Sequence, residues 1–317
     1  MNAIGGYFEL ELRGGEEYHK NAIRLNSGRN ALELILIVKQ YRKVFIPYYM
    51  CDVILEPFNK LKIEYEFYSI NEKFEPLFNY DRIKENESFL YTNYFGLKDS
   101  FISTLSMNCR NLIIDNSQAF YALPKLGVPT FYSCRKFFGV PDGAYLYLTG
   151  SDIMDLPTDV SLDRFMHLLK RIEYGPEEGY NDFKNNDQKF IGQPIRGMSC
   201  LTQRLLKNID YETVAKIRKI NFNYLHNLLG SSNNLELGFT NSFVPLAYPF
   251  ISEKGGLRSY LIQNNIYMAQ YWPNVLEWCK SGTIEMNYST KILSLPIDQR
   301  YLENHMQTII DLILNYE

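Results

Sequence analysis

Short apolar runs alternate with amphipathic stretches along the first half of the chain. Val44-Phe45-Ile46, Ile63 to Tyr68, Phe89-Leu90-Tyr91, Leu112-Ile113-Ile114 and Tyr145 to Leu148 read as strands. Ahead of them, Asn26-Ser27 can cap a helix in which Ala31, Leu32, Ile35 and Val38 recur at helical spacing. The first apolar run then passes straight into Pro47. This alternation predicts an α/β layer architecture built on a mostly parallel sheet.

Beyond residue 158 the pattern changes to longer amphipathic helices such as Tyr211 to Leu229. Val244 to Ile251 reads as a strand opening a second unit, and Tyr301 to Leu314 as a closing helix. The polar run Gly230-Ser231-Ser232-Asn233-Asn234 puts the boundary near residues 230–242. The expected division is a large domain over 1–235 and a smaller C-terminal α+β domain over 236–317.

Composition narrows the function classes. With 317 residues, 46% hydrophobic and 22% charged, the chain can bury two cores, so it is not a disordered segment. The formal net charge is -3 and the 33 Lys and Arg are scattered, which argues against a nucleic-acid partner. No apolar run approaches the roughly 20 residues of a membrane helix, and Met1 to Arg13 has no leader pattern, so a soluble cytoplasmic protein is expected. The five cysteines lack a C-x-x-C pair, and His19, His167, His226 and His305 stand far apart, so neither a disulfide framework nor a metal site is expected.

Three places could carry chemistry. Asp115 directly follows Leu112-Ile113-Ile114, at the carboxyl end of a strand, where open α/β sheets hold their ligands. An aspartate there is as often a turn or cap residue. Lys136 lies in Ser133-Cys134-Arg135-Lys136-Phe137-Phe138-Gly139, between apolar residues and next to a cation, surroundings that favour the neutral, nucleophilic amine. A solvated surface lysine is the plain alternative. Asn26-Ser27-Gly28-Arg29-Asn30 opens the first helix, whose free amides and dipole attract an anion, although a simple N-cap is the commoner use of such a segment. An acid, a lysine and an anion cradle are together what pyridoxal phosphate (PLP) requires of a protein.

The order of these segments resembles the DegT/DnrJ/StrS group of sugar aminotransferases, PLP enzymes of fold type I, over nearly the whole chain. Ser27-Gly28-Arg29-Asn30-Ala31-Leu32 is similar to the group's phosphate loop, and Val44-Phe45-Ile46-Pro47-Tyr48-Tyr49 to its strand and proline. Asn93-Tyr94-Phe95-Gly96 resembles the next loop, Asp115-Asn116-Ser117-Gln118-Ala119 its D-x-A-Q motif, and Ser133-x-x-Lys136 its S-x-x-K motif. Later, Pro245 to Pro249, Asn264 to Pro273 and Leu295-Pro296-Ile297 resemble segments of the small domain.

The resemblance implies a large domain with a mostly parallel seven-stranded sheet flanked by helices. It implies Lys136 as the lysine that bears the cofactor and acts as base and acid, with Asp115 on the pyridine nitrogen and Gln118 near the ring oxygen. Ser27, Gly28, Arg29 and Ser133 are then expected at the phosphate. The implied reaction moves an amino group from an amino acid, glutamate first, to a nucleotide-linked keto sugar, in a homodimer serving surface polysaccharide synthesis. Threonine usually stands where Arg29 is, and an aromatic residue near Cys51, so Tyr49 is expected to stack on the ring instead. The group's G-x-N-x-R segment appears here as Gln193-Pro194-Ile195-Arg196-Gly197-Met198, without the asparagine. Two other readings stay open on this scaffold: another PLP reaction such as sugar dehydration, where histidine usually replaces the lysine, and a ligand-binding relative without turnover.

Overall fold

The computed structural model describes residues 4–150, 155–239 and 243–316. Seven strands form one sheet: β1 (Ile23–Leu25), β2 (Lys43–Pro47), β3 (Glu64–Tyr68), β4 (Glu87–Thr92), β5 (Leu112–Asp115), β6 (Thr130–Ser133) and β7 (Ala144–Tyr147). Their order is β1-β7-β6-β5-β4-β2-β3. The run from β3 to β6 is parallel, whereas β6 pairs antiparallel with β7, and β7 with β1. The five apolar runs read from the sequence all fall on strands. The fold adds β1 and β6, which are too short or too polar to show as apolar runs.

The central strands β4 and β5 are buried along their whole length, which is why they read as continuous apolar segments. Helices α1 (Gly28–Lys39), α2 (Leu55–Leu61) and α3 (Asp99–Asn108) lie among the sheet connections. Helix α1 is capped by Ser27, whose side chain accepts from the Asn30 amide, and it buries Ala31, Leu32, Ile35 and Leu36. Its end is set by Gln40 in the left-handed region at φ 54°.

Four helices follow the sheet: α4 (Met166–Tyr174), α5 (Pro176–Lys189), α6 (Cys200–Lys207) and α7 (Tyr211–Leu229), the last with the expected bounds. The remainder carries α8 (Leu257–Gln263), α9 (Val275–Trp278), α10 (Ile284–Lys291) and α11 (Glu303–Leu314), with the antiparallel pair β8 (Tyr248–Phe250) and β9 (Leu293–Leu295). The expected strand Val244 to Ile251 is thus shorter than its apolar run. One continuous apolar core joins Leu32 and Phe89 of the sheet layer to Leu225 and Leu229 of α7 and to Phe250, Leu295 and Ile309 beyond. Residues 240–242, at the end of the expected boundary segment, lie outside the described residues. No helix among the described residues is long and apolar enough to cross a membrane.

One glycine fixes how the β6–β7 hairpin closes. Gly143 has φ +114°, donates to the Asn26 carbonyl at 2.8 Å, and leaves no room for a side chain: a Cβ there would lie 3.0 Å from Thr202 and 3.3 Å from Cys134. Gly143→Ala is therefore expected to cost about 1–3 kcal/mol in chemical denaturation.

Candidate active site

Asp115 ends β5, and its backbone carbonyl accepts from Asn93 at 2.9 Å, which ties together the carboxyl ends of β4 and β5. Its side chain is only 7% exposed, and one carboxylate oxygen accepts from the Ser117 amide at 2.8 Å. Burial raises the Asp115 carboxyl above its ordinary value, and the Lys136 ammonium and the Ser117 hydrogen bonds oppose that rise. A buried carboxylate of this kind is stabilised by a cation brought to it.

Lys136 sits in the loop between β6 and β7. Phe137 and Phe138 both donate their amides to the Cys134 carbonyl, and their rings are buried beside Phe120. The apolar neighbours that mark Lys136 in the sequence thus anchor the loop. The lysine itself stays half-buried, with Nζ donating to Ser117 Oγ at 3.1 Å. Ser117 therefore links Asp115 and Lys136, its backbone amide on Asp115 at the end of β5 and its hydroxyl on Lys136 of the β6–β7 loop.

Tyr271, from the far part of the chain, covers this group. Its ring centroid lies 6.0 Å from Lys136 Nζ and packs edge-on against Phe95 at 5.9 Å. Burial pushes its phenol up to about 12, so it is a neutral donor at physiological pH. Cys51 is close enough that the Lys136 charge acts on its thiol, which burial raises.

Gln118 is wholly buried; its Oε1 accepts from the Phe95 amide at 2.7 Å, while its Nε2 has no partner among the described residues. An open buried donor costs about 1–3 kcal/mol. An incoming acceptor atom would satisfy it. Phe95 is held at φ 56°, a conformation unusual for a bulky residue, by this bond and by the Leu246 amide donating to its carbonyl at 2.9 Å.

The start of α1 abuts the same hairpin. Ser27 caps it, and the first two helical amides, Gly28 and Arg29, have no intrahelical partner. A Cβ on Gly28 would meet only the Phe131 ring, at 3.7 Å, so packing within the chain does not demand a glycine. Ser133 ends β6 opposite Ala144, half-buried, three residues before Lys136.

Two expected contributors have their side chains engaged within the chain. The Arg29 guanidinium pairs with Glu56 of α2, whose other oxygen accepts from the Gly192 amide at 2.7 Å. Its charge is already neutralised within the chain. Tyr49 is 0% exposed, enclosed by the rings of Phe74, Tyr94, Trp272 and Tyr288, so its ring is engaged within the core. The segment Gln193 to Met198 packs under the start of α1, where Pro194 accepts from Asn30 Nδ2 at 2.8 Å, Arg196 accepts from the Asn26 amide at 3.0 Å, and Arg196 faces Asp159 at 3.6 Å. Among the described residues no three metal-ligating side chains gather.

Comparison with solved structures places this geometry. No family model matches the chain, and no curated protein matches it in sequence. A DegT DnrJ EryC1 StrS aminotransferase from Brucella abortus superposes with a TM-score of 0.62 at 16% identity, over 92% of this chain and 85% of that one. The chain has the architecture of fold-type-I PLP-dependent transferases. The sugar aminotransferase CalS13 from Micromonospora echinospora gives 0.65 at 11% identity over 94% and 88% of the two chains. An E. coli GDP-4-keto-6-deoxy-D-mannose-3-dehydratase, solved with bound hydrated PLP, gives 0.61 at 12% over 92% and 87%. Asp115, Gln118 and Lys136 stand at or just beyond the carboxyl ends of β5 and β6, with the capped start of α1 packed against the same hairpin.

Proposed function

We propose that the chain is a PLP-dependent aminotransferase that moves an amino group from an amino acid, glutamate first, onto a nucleotide-linked keto sugar. The observation that carries this reading is the convergence of a half-buried lysine and a buried carboxylate, bridged by Ser117, at the carboxyl end of the parallel strands. The sugar aminotransferases among the structural neighbours support the substrate class.

The residues present fit PLP. When bound, the cofactor supplies an electron sink for a carbon that loses its proton. Asp115 offers a carboxylate whose burial cost a protonated ring nitrogen would offset. The unpartnered Gln118 Nε2 is a donor for a ring oxygen. Ser27, the free amides of Gly28 and Arg29, and Ser133 would hold the phosphate at a helix start. Lys136 would hold the cofactor through its amine, and its Nζ, hydrogen-bonded to Ser117, would hold and return a proton. Tyr271 covers the amine and limits its access to water.

Ser27→Ala is expected to cost about 1 kcal/mol of stability through the lost cap and to weaken PLP binding. Arg29→Ala, which removes only the tie to Glu56, is expected to leave PLP affinity unchanged. Fluorescence titration of both variants with PLP checks the pair.

We also take residues 236–317 to be the small domain, the working form to be a homodimer, and the compartment to be the cytoplasm. Exposed Leu162, Met166, Ile172 and Tyr174 on and just before α4 leave apolar surface that a second copy would cover, and five free cysteines suit a reducing compartment. Light scattering that returns a monomer at working concentration would count against the dimer.

The deciding experiment incubates the purified protein with PLP, reduces it with borohydride and maps the product by mass spectrometry. A phosphopyridoxyl group on Lys136 is expected. Unmodified Lys136 in a folded protein with excess PLP would overturn the enzyme reading in favour of a relative that binds without turnover. Amino-group transfer from labelled glutamate then separates transamination from dehydration.

A further inference from the structure

Helix α7 carries a cation that the proposed chemistry does not use. Arg218 is 2% exposed, and no carboxylate among the described residues lies within ion-pair distance of it. Its guanidinium donates instead to three backbone carbonyls: Pro245 at 3.2 Å, Leu246 at 3.0 Å and Phe137 at 3.4 Å. It lies 4.6 Å over the Phe137 ring, and its Nε has no partner among the described residues. From the turn after β9, Gln299 Nε2 donates to the same Phe137 carbonyl at 3.0 Å.

Each of these carbonyls belongs either to the loop that carries the lysine or to a segment tied through Phe95 to the residue that covers it. Phe137 directly follows Lys136. Leu246, at the start of the second unit, donates to Phe95, and Phe95 packs on Tyr271, which covers Lys136 Nζ. A buried cation with no carboxylate in contact is costly even though the Asp298 charge acts on it from a distance, and an apolar side chain of similar volume would seat α7 in the core at less cost. The rigid fork of a guanidinium, unlike an ammonium, holds several acceptors in one fixed arrangement. Two loops satisfy it only in a single relative position.

We infer that Arg218 is a positioning residue, which fixes the Lys136 loop against the Pro245–Leu246 segment so that the amine is held between Ser117 and Tyr271. The inference rests on the reading of Lys136 as the residue that bonds PLP.

The test compares wild type with Arg218→Met, Arg218→Lys and Gln299→Ala in two measurements. One is the rate at which borohydride-trapped PLP accumulates on Lys136. The other is amide hydrogen exchange in the cofactor-free protein at residues 136–140 and 244–248, with α1 and β4 as references for the rest of the fold. R218M is expected to slow bonding on the order of 10- to 100-fold, the cost of misplacing a reacting group. It is also expected to speed exchange in both segments while the references hold. R218K, which restores the charge but not the fork, is expected to leave the references unchanged and to recover the bonding rate only in part, and Q299A to show a smaller effect of the same kind. Wild-type bonding and exchange in R218M would overturn the inference and leave the Lys136 reading intact. Failure of the wild type to take PLP on Lys136 would overturn the cofactor reading, and with it the catalytic sense of the positioning role. If R218M does not fold, unchanged exchange and bonding in both R218K and Q299A overturn the inference.

Discussion

A Lys136→Ala protein is expected to fold as the wild type does, take up no covalent PLP, and lose amino-group transfer by at least about 10³-fold, within the range a positioned acid–base group contributes. The side chain is half-buried and makes one hydrogen bond, to Ser117 Oγ at 3.1 Å. Its removal opens no large cavity, because the apolar anchoring of the loop comes from Phe137 and Phe138. A stability change within about 1 kcal/mol is therefore expected in denaturant titration. Activity that survived in K136A, with the protein folded and PLP bound, would show that another group does the work assigned to this amine. Partial recovery on adding a small primary amine would show that the missing function is the amine itself.

How far the site could be read from the chain depends on how local each feature is. Asp115 was legible because it closes a strand whose every residue is buried. Lys136 was legible because the aromatic residues that pin its loop are its own sequence neighbours. Tyr49 and Arg29 turned on distant partners. Trp272 and Tyr288 enclose the first and Glu56 neutralises the second, and no local pattern announces either. The open donor of Gln118 likewise depends on how the Phe95 loop folds back onto it.

Tyr271 and Arg218 were missed as site residues, for different reasons. Tyr271 reaches the lysine only through the packing of the second unit, which periodicity does not report. Arg218 does leave a signal. Val214, Phe222, Leu225 and Leu229 are buried along α7, and Arg218 stands among them as a charge on the apolar face of a helix. A cation at such a position is either misread as surface or buried for a reason. Here the reason is a set of carbonyls from loops that converge only in three dimensions.

The second large effect separates stability from function at one residue. Asp115→Asn keeps the oxygen that accepts from the Ser117 amide and removes the charge that burial disfavours. Because burial raises the folded-state value above the unfolded one, the protonated carboxyl stabilises the fold below the unfolded value of roughly pH 4, and that contribution is lost as pH rises through the folded value. In the cofactor-free protein the wild type is therefore expected to fall behind D115N in Tm as pH climbs from the acid range to neutrality. Turnover is expected to move the opposite way, dropping by about 10²–10⁴-fold, since an amide cannot keep the ring nitrogen protonated. Thermal melts of the cofactor-free proteins across pH, beside rates of the PLP-loaded proteins, measure both arms. A D115N protein less stable than wild type at neutral pH would mean that attraction to Lys136 outweighs burial at this carboxylate. A D115N protein with wild-type turnover would remove Asp115 from the reaction. The combination expected, a more stable protein that has lost its chemistry, is the signature of a carboxylate kept buried for the cation it is there to meet.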